Sequence, residues 1–142
     1  MLGASEGGHL DIVKYAESKG KILGIDLNLN DALYNASYGG HLDIVKYFES
    51  TDYFILRERY NNWDYVLIGA SRGGYLDIVK YSESKGANDW NDALSDACDC
   101  GHLDIVKYAE SKGKILGIDY WNDALSNACE GGHLDIVKSY SA

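Results

Sequence analysis

In Leu103, Ile105, Val106 and Ala109 the apolar positions fall at i, i+2, i+3 and i+6, while Lys107, Glu110 and Ser111 lie toward the other side. That spacing fits one broad helical face better than the alternation of a strand. The same pattern returns along the chain, carried by Gly-His-Leu-Asp-Ile-Val-Lys-Tyr. It stands complete at Gly8–Tyr15, Gly40–Tyr47 and Gly101–Tyr108. It stands with one change at Gly74–Tyr81 (Tyr75 for His) and at Gly132–Ser139 (Ser139 for Tyr). The anchors His9, His41, Tyr75, His102 and His133 are separated by 32, 34, 27 and 31 residues. Self-similarity at a period of roughly 20–50 residues marks a stacked repeat protein. Gly8–Asp26 and Gly101–Asp119 are identical over 19 positions, an internal duplication.

The units run approximately over residues 1–30, 31–63, 64–91, 92–122 and 123–142, with the first and last incomplete. Each pairs two short helices across a glycine turn. The first helices are expected at Leu2–Glu6, Asp31–Tyr38, Asp64–Arg72, Asp92–Asp99 and Asp123–Glu130. The second helices are expected from Leu10 to about Ser18, at Leu42–Ser50, Leu76–Ser84 and Leu103–Ser111, and from Leu134 onward. Gly20 and Gly86 offer left-handed stops after their helices. Asp31 is placed to cap the helix that follows it. The longest connector, Thr51–Trp63, carries Arg57 and Arg59. Ala87–Asn91 is the shortest and accounts for the 27-residue step. It leaves little room for a β-hairpin finger.

Ala-x-x-x-Gly-His/Tyr-Leu-Asp-Ile-Val-Lys recurs from Ala36, Ala70, Ala97 and Ala128, and a further copy starts at Ala4. This resembles the ankyrin repeat over nearly the whole chain. The Asp-Ala-Leu openings and Lys-Tyr-x-x-Ser-Lys-Gly endings are similar to ankyrin arrays encoded by large DNA viruses. The resemblance implies an all-α solenoid, binding another protein through a concave face formed by the first helices and connectors. A viral array would act on a host factor in the host cytoplasm.

Departures from the repeat matter. The usual Thr-Pro-Leu-His opening is replaced by Asp31-Ala32-Leu33-Tyr34, Asp92-Ala93-Leu94-Ser95 and Asp123-Ala124-Leu125-Ser126. Asn35, Gly69, Asp96 and Asn127 stand before the recurring alanine, where the family has an apolar residue. Ala16-Glu17, Phe48-Glu49, Ser82-Glu83 and Ala109-Glu110 stand where it has two. Both changes remove buried apolar area, at roughly 25 cal/mol per Å². Either the packing is thinner, or the helices rotate and keep these polar groups wet.

At 142 residues this is one domain's worth of chain, residues 1–142. The net charge of −9 disfavours a phosphate backbone as partner and leaves a basic protein surface open. No apolar run approaches the ~20 residues that span a bilayer, so no membrane partner is expected. The opening Met1–Glu6 lacks a basic region and an apolar run, so no secretory signal is read there. Three cysteines at irregular spacing make no disulfide framework, which points to a reducing, cytoplasmic or nuclear setting.

Little in the sequence invites catalysis. The histidines each follow a glycine and precede a helix, and Tyr75 fills the same slot. A turn-fixing hydrogen bond explains them better than a metal or a proton relay. Cys98-Asp99-Cys100-Gly101-His102 brings thiols and an imidazole together but matches no standard zinc spacing. The Gly-Gly pairs join two helices and lack the Lys-Ser/Thr of a phosphate loop. No nucleophile–base–orienter set is visible, so no enzyme, cofactor or metal is expected. Trp63, Trp90 and Trp121, with Leu29 in the matching place, read as packing between connectors or as interface anchors.

The signal for binding lies where the units disagree. Seven and three residues before each anchor stand Tyr34/Tyr38, Ile68/Arg72, Ser95/Asp99 and Ser126/Glu130. Each pair shares one face of its first helix. Tyr34, Tyr38 and Ile68 would supply contact area, and Arg57, Arg59 and Arg72 hydrogen bonds to carboxylates or carbonyls. Neither end carries a polar capping unit. A fragment of a longer array, or self-association of the ends, is the competing reading.

Overall fold

The computed structural model describes residues 2–23, 28–51, 62–112, 126–128 and 130–140. Every regular element among the described residues is an α-helix. In chain order they are α1 (Leu2–Glu6), α2 (Leu10–Leu23), α3 (Leu29–Tyr38), α4 (Leu42–Glu49), α5 (Asn62–Gly73), α6 (Leu76–Ser84), α7 (Trp90–Asp99), α8 (Leu103–Ser111) and α9 (Leu134–Tyr140). Residues 126–128 and 130 are also helical. No helix of the described residues is long and apolar enough to cross a membrane.

The recurring motif is a helix stop followed at once by a helix start. Gly8, Gly40, Gly74, Gly101 and Gly132 all have positive φ, between 73° and 85°. A left-handed residue after a helix turns the next amide back onto the last turn. The amides of His41 and Tyr75 donate to the carbonyls of Ala36 and Ala70 at 2.9 Å, and those of His102 and His133 to Ala97 and Ala128 at 2.8 Å. The fixed spacing of alanine, glycine and anchor therefore encodes one turn geometry.

The anchors do more than mark the turn. None of His41, Tyr75 or His102 caps its own helix through its side chain. Instead, the Nε2–H of His41 donates to the Glu6 carbonyl at 2.8 Å, that of His102 to Arg72 at 2.9 Å, and that of His133 to Asp99 at 2.7 Å. Each bond satisfies a carbonyl left open at the end of the preceding unit's first helix.

The helices lie in two rows. In one, α3 packs against α1 and α5, and α5 against α7. In the other, α2 packs against α4, and α6 against α8. Leu33, Ile44, Leu67, Ile78, Ile105 and Ile136 lie between the rows and are fully buried. Ile105, Val106 and Ala109 are buried and Lys107, Glu110 and Ser111 exposed, as the spacing predicts.

Three local expectations are corrected. Asp31 is not the cap of α3: Asn28 is, its side chain accepting from the Asp31 amide at 3.2 Å. Asp89 takes the same place before α7, and both helices start earlier than expected. Helix α2 does not stop at Gly20 but continues to Leu23. Glycine inside a helix costs only about 1 kcal/mol, too little to end one alone. Gly86, with φ of 100°, does end α6.

The third correction concerns the glutamates late in the second helices. Glu110 is exposed and wet, but Glu17, Glu49 and Glu83 are neither voids nor simply wet. Tyr47 donates its hydroxyl to Glu17, Tyr81 to Glu49 at 2.5 Å, and Tyr108 to Glu83 at 3.1 Å. Each rung joins the tyrosine of one unit to the glutamate of the unit before it. Lys14, Lys46 and Lys80 lie 5.2 Å over the rings of Tyr47, Tyr81 and Tyr108. A buried carboxylate without a donor would be costly, and the tyrosine supplies it. Burial and the carboxylate bond push the Tyr47 hydroxyl up to about 12. Tyr81 and Tyr108 are raised for the same two reasons.

Trp63 and Trp90 belong to the first turns of their helices rather than packing connector on connector. Trp63 is buried edge-on against Tyr81, centroids 5.7 Å apart, and Trp90 is tilted against Tyr108 at 6.4 Å. Trp121 lies outside the described residues.

Candidate functional site

The face on which the units disagree is built by the row of first helices. The alanines that hold this row together, Ala36, Ala70, Ala97 and Ala128, have no exposed surface. Two residues to either side the chain differs from unit to unit. Tyr34 is half-buried and Tyr38 exposed, and their rings stack one helical turn apart, centroids 6.3 Å and planes 3° apart. A parallel pair on a rigid helix presents a preformed aromatic surface at low entropic cost.

Arg72 projects from the last turn of α5 with 41% of its side chain exposed. It does not reach outward alone. Its Nη1 lies 3.3 Å from Oδ1 of Asp96 on α7. Burial pushes the Asp96 carboxyl above its ordinary value, and Arg72 pulls against that without reversing it. Asp96 in turn raises Arg72. Tyr34 is raised first by burial and then by the field of Asp96, with Arg72 opposing. Tyr34, Arg72 and Asp96 therefore form one electrostatic group. A partly exposed ion pair contributes at most about 1 kcal/mol. Its larger effect is to fix where the guanidinium points.

Of the six residues expected to bind, three are thus placed on one accessible face: Tyr34, Tyr38 and Arg72. Ile68 is half-buried and packs against the core, so it offers less contact area than expected. Arg57 and Arg59 lie outside the described residues. Along the face toward the last unit, Ser95 and Asp99 are half-buried and Ser126 and Glu130 exposed.

Sequence reasoning missed the polar residues preceding the alanines as members of this face. Asp96 binds Arg72, and Asn127 Nδ2 donates to Ser95 Oγ at 2.6 Å. Gly69 lets the Tyr34 carbonyl approach, since a Cβ there would lie 2.5 Å from its oxygen. The signal was a run of polar or missing side chains, Asn35, Gly69, Asp96 and Asn127, directly before the buried alanines.

The idiosyncratic Cys100 fills the slot occupied elsewhere by Gly7, Gly39, Gly73 and Gly131. It is half-buried, and burial raises its thiol. Cys98 is fully buried among the apolar side chains. Among the described residues no group of three or more His, Cys, Asp or Glu is placed to hold a metal ion. No protein-family model, no curated protein and no solved structure matches this chain.

Proposed function

We propose that this chain is a non-catalytic protein-binding module, an ankyrin-like solenoid whose partner lies along the row of first helices. One observation carries the reading. Positions that differ between units, Tyr34/Tyr38, Ile68/Arg72, Ser95/Asp99 and Ser126/Glu130, share one row, while the alanines between them stay constant and buried. Residues needed only for stacking repeat with the stack; these do not. The stacked Tyr34–Tyr38 pair supplies contact area, and Arg72, oriented by Asp96, supplies directed donors. Asp99 and Glu130 extend the face with negative charge, in keeping with a net charge of −9. A partner segment with an apolar or aromatic residue beside basic ones fits this order.

The test is an unbiased interaction screen with the wild type and with Tyr34→Ala/Arg72→Ala. Loss of the same partner in the double variant, with unchanged circular dichroism, supports the face. Equal recovery of every partner by both proteins would sink it.

A further inference from the structure

A third register lies on the row of first helices. Ten residues before their anchors stand Asp31, Tyr65 and Asp92. They open three stripes: Asp31, Tyr34 and Tyr38 on α3; Tyr65, Ile68 and Arg72 on α5; Asp92, Ser95 and Asp99 on α7. Steps of three and four residues keep each stripe on one side of its helix. Tyr65 is 39% exposed, where its counterparts Asp31 and Asp92 are exposed carboxylates. Glycines set how α3 and α5 lie together. A Cβ at Gly69 would lie 2.5 Å from the Tyr34 carbonyl oxygen, and one at Gly73 would collide with the Tyr38 carbonyl. The two helices therefore run parallel at close approach. Tyr65, one turn before Gly69, stands level with the turn of α3 that precedes Tyr34.

The row thus changes chemistry along its length. Its α3–α5 part gathers Tyr34, Tyr38, Tyr65 and Ile68. From α7 onward the same registers hold Asp92, Ser95, Asp99, Ser126 and Glu130. Arg72 lies at the seam, and Asp96 offsets its charge at 3.3 Å. Among the described residues Asp31, Asp92, Asp99 and Glu130 are not ion-paired. An acidic segment on this face would meet those carboxylates. To gain the Arg72 guanidinium it would have to displace Asp96, leaving a half-buried carboxylate without its cation, which is costly. A basic segment meets neither obstacle, and the net charge of −9 attracts it from a distance.

We propose that the occupant is a basic segment of another protein, laid across the row, with apolar or aromatic residues on Tyr34, Tyr38 and Tyr65 and arginine or lysine side chains at Asp92, Asp99 and Glu130. This rests on the protein-binding reading above. It adds Tyr65 as a contact, the sign of the partner's charge, and the partner's span. Packed helices lie about 8–10 Å apart, so the aromatic and acidic parts are roughly 20 Å apart. That is about six residues of extended chain at about 3.3 Å each.

The experiment is fluorescence polarisation of labelled synthetic peptides titrated with the 142-residue chain. The probe is Trp-Leu and Arg-Arg joined by a short Gly/Ser spacer of that span. A second peptide has Glu-Glu for Arg-Arg, and a third has Ser-Ser for Trp-Leu. Both should bind at least about tenfold more weakly than the probe. Tyr65→Ala, and separately Asp92→Asn/Asp99→Asn, should each weaken the probe about fivefold, with circular dichroism checking the fold. Added salt should weaken the probe on wild type more than on the double asparagine variant. A probe that does not bind overturns the proposal, as does a Glu-Glu peptide that binds as well. So does a probe lost with Tyr34→Ala/Arg72→Ala but untouched by Tyr65→Ala or by the asparagines; the binding face then stands without this partner. A probe held equally by wild type and Tyr34→Ala/Arg72→Ala overturns the face itself. A chain that dimerises in sedimentation, and is dispersed by Tyr65→Ala, puts a second copy there and overturns the basic segment.

Discussion

Gly69→Ala tests how closely α3 and α5 approach beneath Tyr34. Two effects compete. Alanine is a better helix former than glycine by about 0.8–1.0 kcal/mol. Gly69 lies inside α5, so propensity alone favours the substitution. Against that, the new Cβ would lie 2.5 Å from the Tyr34 carbonyl oxygen and 3.2 Å from the Ser37 Cβ. Ordinary contact distances require the two helices to separate there by roughly 1 Å. The obstacle is backbone on a neighbouring helix, not the tip of a flexible side chain. Overpacking of this kind costs about 1–3 kcal/mol. The collision therefore wins, leaving a net loss of about 1 kcal/mol, within the range set by the two terms. With a urea slope of about 2 kcal/mol per M, the midpoint falls by about 0.5 M. Gly3→Ala is the control: Gly3 lies in α1, and its Cβ meets nothing within 4 Å. It should leave the midpoint unchanged or raise it. The assay is urea unfolding followed by far-UV circular dichroism. If Gly69→Ala raises the midpoint as Gly3→Ala does, the close approach is not there.

The tyrosine–glutamate rungs give two further expectations. In a double-mutant cycle of Tyr81→Phe and Glu49→Gln, the 2.5 Å bond should appear as a coupling of about 1 kcal/mol, the lower end for a bond to a charged group because the rung is partly solvated; a coupling below about 0.3 kcal/mol would remove the rung from the stability argument. The second concerns alkaline pH. Tyr47 is raised from 10.0 to about 12, so its contribution is fully present below pH 10 and lost as pH rises toward 12. Discounted for solvent screening, that loss is on the order of 1 kcal/mol. Tyr47→Phe should remove it, and an unfolding midpoint with the same pH dependence in both proteins contradicts the assignment.

What was legible in the sequence was local. A left-handed glycine four residues after an alanine and two before a helix start is a constraint within seven residues, and all five copies adopt it. The apolar spacing that follows needs no distant partner to declare a helix. What escaped was of two kinds. Asn28 and Asp31 can both cap a helix and sit three residues apart, so propensity could not choose between them. In the structure they act together, with Asn28 Nδ2 donating to Asp31 Oδ2 at 2.5 Å. The glutamate rungs escaped because their partners are remote. Tyr81 is 32 residues from Glu49, and Tyr108 is 25 from Glu83. Glu17, Glu49 and Glu83 do recur at one register, eight places after their anchors, which was the available sign that they serve the stack. Arg72 was found as a variable charge, but its neutralising partner sat in a slot judged only as a packing defect.

A chain that repeats one motif five times must still tell its units apart. Gly8–Asp26 and Gly101–Asp119 are identical, so the rungs and histidine bonds of the second-helix row would accept either segment in either place. Such degeneracy favours slipped or swapped pairings unless something opposes it. The opposing contacts lie in the other row, and each differs from the rest. Gly69 closes on Tyr34, Arg72 pairs with Asp96, and Asn127 donates to Ser95. Exchange of neighbours would leave Asp96 half-buried without its cation and put a larger side chain against the Tyr34 carbonyl. The variation on the first helices thus has a task inside the molecule besides the one proposed for it toward a partner. Tyr38, Ser126 and Glu130 are exposed and outside those pairings, so on the proposed function their variation would serve recognition alone. On the proposed function Arg72 would serve both, so its loss should cost order in the stack as well as affinity. Substitution of Tyr38 should cost affinity only.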